Sequence, residues 1–91
     1  MKVKIELFAT FRDKYGTKAL EVECDGNLES AFRSAAEILG KEFLEDVFDE
    51  NGKIRQDRII TVNGRNIKDI GDNVEIRDGD VIAIFPPIAG G

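Results

Sequence analysis

The sequence predicts a single α+β domain in which helices cover one face of a mixed β-sheet. Apolar and charged residues alternate at the start of the chain, as in a half-buried strand. Residues 28–39 carry an apolar stripe with helical spacing, and residues 81–85 form a nearly continuous apolar run typical of a central strand. Strands near both ends of the chain, with a helix between them, favour this two-layer class.

The first two predicted strands form a hairpin around a longer connection. Apolar side chains occupy every second position in residues 3–7 and again in residues 20–24, which is the period of a strand with one buried face. Residues 8–16 between them predict about one helical turn, which Gly16 closes.

An amphipathic helix follows this hairpin. Asp25 and Gly26 turn the chain, and Asn27 suits the N-cap position of a helix. The apolar stripe of the helix comprises Leu28, Ala31, Phe32, Ala35 and Leu39. Gly40 stands where a glycine commonly ends a helix, and the apolar spacing of residues 43–48 predicts a second, short helix.

The second half of the chain returns to strands. Residues 49–58 are polar and predict a loop, whereas residues 59–62 predict a strand that runs into a type I′ hairpin signal at Asn63 and Gly64. Three isolated apolar residues then anchor a polar connection, with room for a short strand near either end: Ile67, Ile70 and Val74. The sheet closes most economically if residues 81–85 lie parallel to the first strand at its centre. We therefore expect a β-grasp (ubiquitin-like) fold with roughly four to five strands.

Composition excludes several classes of function. The chain has 91 residues, which suits one domain spanning residues 1–91, and its net charge of −5 opposes binding to nucleic acid. No apolar run approaches the roughly 18 residues that span a bilayer, and no signal peptide opens the sequence, so we expect no membrane association. The single cysteine allows no internal disulfide, and we expect a cytoplasmic protein.

Catalytic and metal-binding patterns are missing from the sequence. There is no histidine, which removes the commonest general base at neutral pH and the His-based metal sites. Cys24 shares its strand parity with Leu20 and Val22, so we expect it to fill the core. The acidic segment at residues 41–50 is typical of a solvated helix side, and the alternative is a dock for a basic partner. We therefore expect no enzyme activity from the chain alone and no bound cofactor or metal.

The C-terminal residues form a narrow tail after the last predicted strand. Pro86 and Pro87 stop the strand because neither offers an N–H to a sheet. The residues beyond them extend about 13–14 Å and end in Gly90 and Gly91, whose backbone can enter a slot too narrow for other residues. An accidental disordered tail is the alternative. We expect a flexible tail at residues 86–91, whose carboxylate reacts only after activation by ATP in another protein.

Three stretches of the sequence together carry a resemblance to a known family. They are Phe85-Pro86-Pro87-Ile88-Ala89-Gly90-Gly91, preceded by Asp78-Gly79-Asp80-Val81; Leu7-Phe8-Ala9 with Phe11-Arg12-Asp13 and Gly16; and Ile60-Thr61-Val62-Asn63-Gly64. These stretches resemble the MoaD-type sulfur-carrier small subunits of molybdopterin synthase. Residues 40–58 are longer and more acidic than a compact member of that family needs, which leaves the choice of partner open.

The resemblance implies a sulfur carrier without catalytic activity of its own. It implies that Gly91, with Gly90 beside it, is adenylated by an E1-like enzyme that uses ATP and Mg, and is then converted to a thiocarboxylate. The tail is implied to insert into the large subunit of molybdopterin synthase, within a heterotetramer, and to donate sulfur to the pterin precursor of the molybdenum or tungsten cofactor. The alternatives are a ubiquitin-like modifier joined to lysines through Gly91, or a sulfur carrier for thiamin or tRNA thiolation. A plain binding module is a third reading.

The predicted fold also gathers a docking surface around the base of the tail. If the first and last strands are parallel neighbours, aromatic, basic and proline residues meet there, and aromatic and Arg side chains carry much of the energy of protein interfaces. We expect the partner-binding residues to be Phe8, Phe11, Arg12, Phe85, Pro86, Pro87, Ile88 and Ala89. The alternative is that the three phenylalanine rings close the core under the helix.

Overall fold

The computed structural model describes residues 1–71 and 74–86. The predicted tail therefore lies outside the described residues, with the exception of Pro86. The elements in chain order are β1 (Lys2–Leu7), α1 (Thr10–Tyr15), β2 (Ala19–Glu23), α2 (Leu28–Leu39), α3 (Glu42–Val47), β3 (Ile59–Val62), β4 (Arg65–Asn66), α4 (Ile67–Ile70) and β5 (Val81–Phe85).

The strands form one mixed five-stranded sheet in the order β2-β1-β5-β3-β4. Strand β5 lies at the centre, parallel to β1 and antiparallel to β3, with Ile5 opposite Ile82 and Leu7 opposite Ile84. The predicted parallel pairing of the first and last strands is therefore confirmed. Because β5 has a neighbour on each side, its backbone groups are paired along both edges, as its continuous apolar sequence indicates.

Helix α2 covers one face of this sheet and closes the core. Asn27 begins the helix, since its side chain accepts a hydrogen bond of 2.7 Å from the backbone N–H of Ser30. Phe32 on α2 and Phe43 on α3 are almost fully buried, and their rings meet edge to face at 6.2 Å. Burial of such a ring stabilises the fold by about 1.5–3 kcal/mol. The core face of the sheet consists of Val3, Ile5, Leu7, Val22, Ile60, Val62, Ile82 and Ile84.

The turn between β3 and β4 is a two-residue hairpin that also holds the start of β5. Asn63 and Gly64 both have positive φ, 52° and 85°, as the sequence signal predicts. The amide of Asn63 donates a hydrogen bond of 2.9 Å to the carboxylate of Asp80, and its side-chain oxygen accepts one of 2.9 Å from the N–H of Val81. The hairpin therefore fixes where the central strand begins.

Helix α4 is the element that the sequence does not predict. It spans four residues, and a single turn carries too few positions to reveal a helical period. Asn66 begins it, because its side chain accepts a hydrogen bond of 2.9 Å from the N–H of Lys68. Over the residues described, none of the helices combines the length and the apolar character that crossing a bilayer requires.

Candidate functional site

The base of the tail is marked by two stacked aromatic rings. The parallel pairing of β1 and β5 continues one residue beyond β1, where the N–H of Phe8 donates to the carbonyl of Ile84 at 3.3 Å. This contact brings Phe8 beside Phe85, and their ring centroids lie 4.4 Å apart with an interplanar angle of 13°. Both side chains are half-buried, and neither belongs to the main core. We call this pair the aromatic platform.

Arg12 lies at the border of the aromatic platform. Its guanidinium carbon is 5.6 Å from the ring centroid of Phe8, within the range of a cation–π contact. Its Nε also donates to the carbonyl oxygen of Leu7 at 3.4 Å, which directs the side chain across the end of β1. The guanidinium cation of Arg12 therefore borders an apolar surface.

The outer face of the sheet extends the aromatic platform with residues that the sequence reasoning missed. Ile59 lies directly opposite Phe85 in the β3–β5 pair, and Thr61 lies opposite Ala83. Ala83 is 7% exposed although it lies outside the core cluster. The alternation of β3 carries the signal, since Ile60 and Val62 face the core and Ile59 must then face outward.

The structure corrects one predicted contact residue. Phe11 is 5% exposed and belongs to the core cluster, so its ring does not form part of the surface. The guanidinium carbon of Arg58 lies 5.4 Å from the centroid of this ring and covers it on one side. Of the predicted set, Phe8, Arg12, Phe85 and Pro86 meet at one end of the sheet. The rest of the set lies outside the described residues: Pro87, Ile88, Ala89, Gly90 and Gly91.

Part of the acidic segment at residues 41–50 holds α1 in position beside the aromatic platform. The carboxylate of Asp46 accepts hydrogen bonds from the hydroxyl of Tyr15 and, at 2.9 Å, from Nζ of Lys14. The backbone oxygen of Asp46 accepts a further bond of 2.8 Å from Nε of Arg58. Glu42 lies 3.2 Å from the same ammonium group of Lys14. The segment is therefore not simply a solvated helix side, because it ties α1, α3 and the start of β3 together.

The titration of this cluster follows from its contacts. Burial alone raises the pKa of Asp46, but the hydrogen bonds from Tyr15 and Lys14 outweigh it and hold that pKa below its ordinary value. Burial and the bond to the Asp46 carboxylate raise the pKa of the Tyr15 hydroxyl. The bond to Asp46 also raises the pKa of the Lys14 ammonium. The cluster is thus an ion pair with a neutral phenol at neutral pH.

The described residues offer little for chemistry by the chain itself. Cys24 is 7% exposed, and its backbone is fixed to Met1, whose carbonyl accepts from the Cys24 N–H at 2.9 Å. Within residues 1–71 and 74–86, no group of His, Cys, Asp and Glu side chains could hold a metal ion. What the arrangement can do is present an apolar surface, bordered by a cation, next to the point where the tail leaves the sheet.

Comparisons with known proteins show the family to which the chain belongs. The profile of the ThiS family matches residues 5–91. The small archaeal modifier protein 3 of Haloferax volcanii is 33% identical over 95 residues, which cover 100% of this chain and 100% of that protein. The molybdopterin synthase sulfur carrier subunit of Aedes aegypti is 33% identical over 95 residues, with 100% of this chain and 90% of that protein covered.

Similarity to a solved structure extends this agreement to the fold. The small archaeal modifier protein 1 of Methanosarcina acetivorans superposes with a TM-score of 0.79 at 28% identity, and the match covers 99% of this chain and 96% of that one. The predicted ubiquitin-like β-grasp fold is thereby confirmed.

Proposed function

We propose that this chain, which belongs to the ThiS family of ubiquitin-like sulfur carriers and modifiers, is a sulfur carrier that works through Gly91. Its partners in this proposal are an E1-like adenylating enzyme, which uses ATP and Mg, and the large subunit of molybdopterin synthase. The sulfur passes to a pterin precursor of the molybdenum or tungsten cofactor. The chain itself supplies no catalytic group in this scheme.

The observation that carries the proposal is the aromatic platform at the end of the central strand. Phe8 and Phe85 stack outside the core, and Ile59 lies opposite Phe85 on the same outer face. Half-buried aromatic rings beside an Arg have the composition that is favoured at protein interfaces. A partner bound there has the start of the tail, at Pro86, beside it, which supports delivery of the tail into the partner's active site.

The chemistry of the proposal has two steps at Gly91. A carboxylate oxygen of Gly91 attacks the α-phosphorus of ATP, pyrophosphate leaves, and an acyl-adenylate forms. A hydrosulfide-type nucleophile held by the partner then attacks the carbonyl carbon, and AMP leaves with the electron pair of the broken C–O bond. The product is a thiocarboxylate. Glycine suits both steps because it has no Cβ beside the reacting carbon.

Pyrophosphate exchange with the adenylating enzyme from the same cells tests the proposal. Deletion of Gly91 should abolish exchange, and Gly90→Val should reduce it more than Gly90→Ala, because the slot around the tail admits little side-chain volume. Melting curves of the same variants should match the parent, since the changes lie after the last strand in the sequence. Undiminished exchange by the deletion variant would remove the basis of the proposal.

A second function, conjugation to lysines as a protein modifier, is favoured by one observation. The modifier from Haloferax volcanii matches this chain from end to end. The intact mass of the protein purified from its own cells separates the two functions. A thiocarboxylate adds the mass difference between sulfur and oxygen, about 16 Da, whereas conjugation yields branched peptides after proteolysis.

A further inference from the structure

A second surface feature lies between the loop before β3 and helix α4. It is a cleft of about 410 Å³, and we call it the basic cleft. Its polar side chains are Arg55, Gln56, Arg58 and Lys68, and its apolar side chains are Ile54 and Ile67. The volume is in the range of about 300–1,000 Å³ that is typical of ligand sites.

The cationic side chains of the basic cleft are held in fixed positions. Nε of Arg58 donates to the backbone oxygen of Asp46 at 2.8 Å, and the Arg58 side chain is only 10% exposed. Nζ of Lys68 donates to the backbone oxygen of Gln56 at 2.8 Å. Nη1 of Arg55 approaches the backbone oxygen of Glu45 at 3.4 Å. Backbone carbonyls already orient these side chains. Binding of a ligand therefore costs little conformational entropy of the side chains.

The charged side chains that line the basic cleft are cationic, although the molecule as a whole is acidic. In the part of the chain that the structure describes, Asp57 is the carboxylate that forms ion pairs here, at 3.0 Å from Arg55 and 3.1 Å from Arg58. Among the described residues that line the cleft there are three cations and no carboxylate, although Asp57, Asp46 and Asp49 act on Arg55 from beside it; the chain as a whole carries −5. The pKa of Asp57 is held below its ordinary value, mainly by its hydrogen bond from Arg55, so it stays charged.

The basic cleft lies at the same end of the sheet as the aromatic platform. Arg58 immediately precedes Ile59, which is opposite Phe85, and its guanidinium covers the ring of Phe11. Helix α4 leaves β4 toward the same end, because Asn66 is already opposite Thr61 on β3. One partner can therefore contact the platform and the cleft together.

From this position and charge we infer that the basic cleft binds an acidic peptide segment of the partner that docks on the aromatic platform. Carboxylates of that segment accept hydrogen bonds from Lys68 and Arg55, while its aliphatic atoms contact Ile54 and Ile67. The inference rests on the proposed function, because the segment belongs to the adenylating enzyme. It adds a second contact, which selects partners by charge.

The first test measures whether the basic cleft binds a short acidic peptide when no partner protein is present. Titration of the chain with tetraglutamate should shift the backbone amide resonances of Arg55, Gln56, Lys68 and Gly71, and tetraglutamine should not. Inorganic phosphate is the second probe. If phosphate shifts these resonances at a lower concentration than tetraglutamate, the cleft is a small-anion site and the inference is wrong. Shifts of equal size with tetraglutamine also contradict it.

The second test uses the adenylating enzyme from the same cells. Lys68→Glu and Arg55→Glu should each weaken binding about tenfold at low salt, the loss expected for a hydrogen bond to a charged group, and less at high salt. Lys2→Glu is the matched control, because it makes the same charge change at the first residue of β1, far from Phe8, which follows the last one. It should change binding less than about twofold. Equal effects of Lys68→Glu and Lys2→Glu would overturn the inference.

Failure of the inference and failure of the proposed function give different results. If Phe85→Ala abolishes binding and Lys68→Glu leaves it intact, the platform is used and the cleft is not. If Phe85→Ala and the deletion of Gly91 both leave binding and pyrophosphate exchange intact, the proposed function itself is wrong. The tetraglutamate titration does not depend on either result.

Discussion

Phe8 and Phe11 stand three positions apart in the sequence and have opposite environments. Phe11 is 5% exposed among core residues, whereas Phe8 stacks on Phe85 at the surface. Phe11→Ala should therefore lower the free energy of unfolding by about 3–5 kcal/mol, the cost of emptying a buried aromatic site. Urea denaturation measures this loss.

Phe8→Ala should weaken partner binding and cost less stability than Phe11→Ala. It removes one stacked pair at the surface, worth about 0.5–1.5 kcal/mol, and should weaken partner binding by about 1 kcal/mol or more. Calorimetric titration with the adenylating enzyme, beside the same urea experiment, separates the two residues. A Phe8→Ala variant that binds normally would move the docking surface elsewhere on the sheet.

Cys24 provides a prediction about a lone thiol. It is buried beside the first residue of the chain, so Cys24→Ser places a hydroxyl in a site without an assured partner and should cost about 1–3 kcal/mol of stability. Under the proposed function the sulfur is carried at Gly91, so the variant should retain sulfur transfer. Parent-like stability together with lost sulfur transfer would make Cys24 a functional residue.

Asp80 provides a prediction about pH. The hydrogen bond from Asn63 is the main cause that lowers the pKa of Asp80 from its ordinary value of 3.8. Because that pKa is lower in the folded than in the unfolded chain, the stabilisation is complete at pH values above 3.8 and is lost as the pH falls through the folded value.

Removal of the Asp80 carboxylate should therefore make the stability of the fold less dependent on pH in the acidic range. Asp80→Asn is expected to be less stable than the parent at neutral pH and to lose less stability on acidification. The matched control is Glu37→Gln, which neutralises an exposed carboxylate on α2. Thermal melts between neutral and acidic pH compare the three proteins, and parallel curves for parent and Asp80→Asn would contradict the assignment.

At the scale of elements, α1 depends on α3 for its position. Asp46 accepts hydrogen bonds from Tyr15 and Lys14, and its side chain is 16% exposed. Asp46→Ala leaves the Tyr15 hydroxyl without its acceptor and should cost about 1–3 kcal/mol. Glu42→Gln is the control, because Glu42 is 66% exposed and meets the same Lys14 in an exposed ion pair worth at most about 1 kcal/mol. A double-mutant cycle between Tyr15→Phe and Asp46→Ala measures their coupling, and additive effects would contradict this link.

The elements also explain how far the sequence alone leads. Helix α2 was predictable because an apolar stripe with helical spacing continues over 12 residues. Strand β5 was predictable because its apolar run is continuous. The single turn of α4 was not, since its conformation depends on the Asn66 cap. The same limit applied to Phe11: a six-residue helix does not fix which of its aromatic residues faces inward. The alternation of β3 was enough to place Ile59 on the outer face, but its position opposite Phe85 required the register of β3 against β5.

At the scale of the whole molecule, the sheet depends on its last strand. Strand β5 supplies hydrogen bonds to both β1 and β3, and it lies between them. Removal of residues 81–91 should therefore leave a chain without cooperative unfolding, because two strands lose their shared neighbour. Removal of residues 87–91 should leave the melting temperature unchanged. Circular dichroism melts of the two truncated chains check both expectations, and a cooperative transition in the shorter chain would contradict them.

The central position of β5 has a consequence for biosynthesis. A ribosome makes every other strand of the sheet before it makes β5, so the nascent chain cannot complete its fold until the residues next to the tail have been translated. A chain that is terminated before β5 then lacks both the central strand of its sheet and Gly91. Under the proposed function, a chain that stops before β5 therefore offers the adenylating enzyme neither the aromatic platform, which needs Phe85, nor the tail.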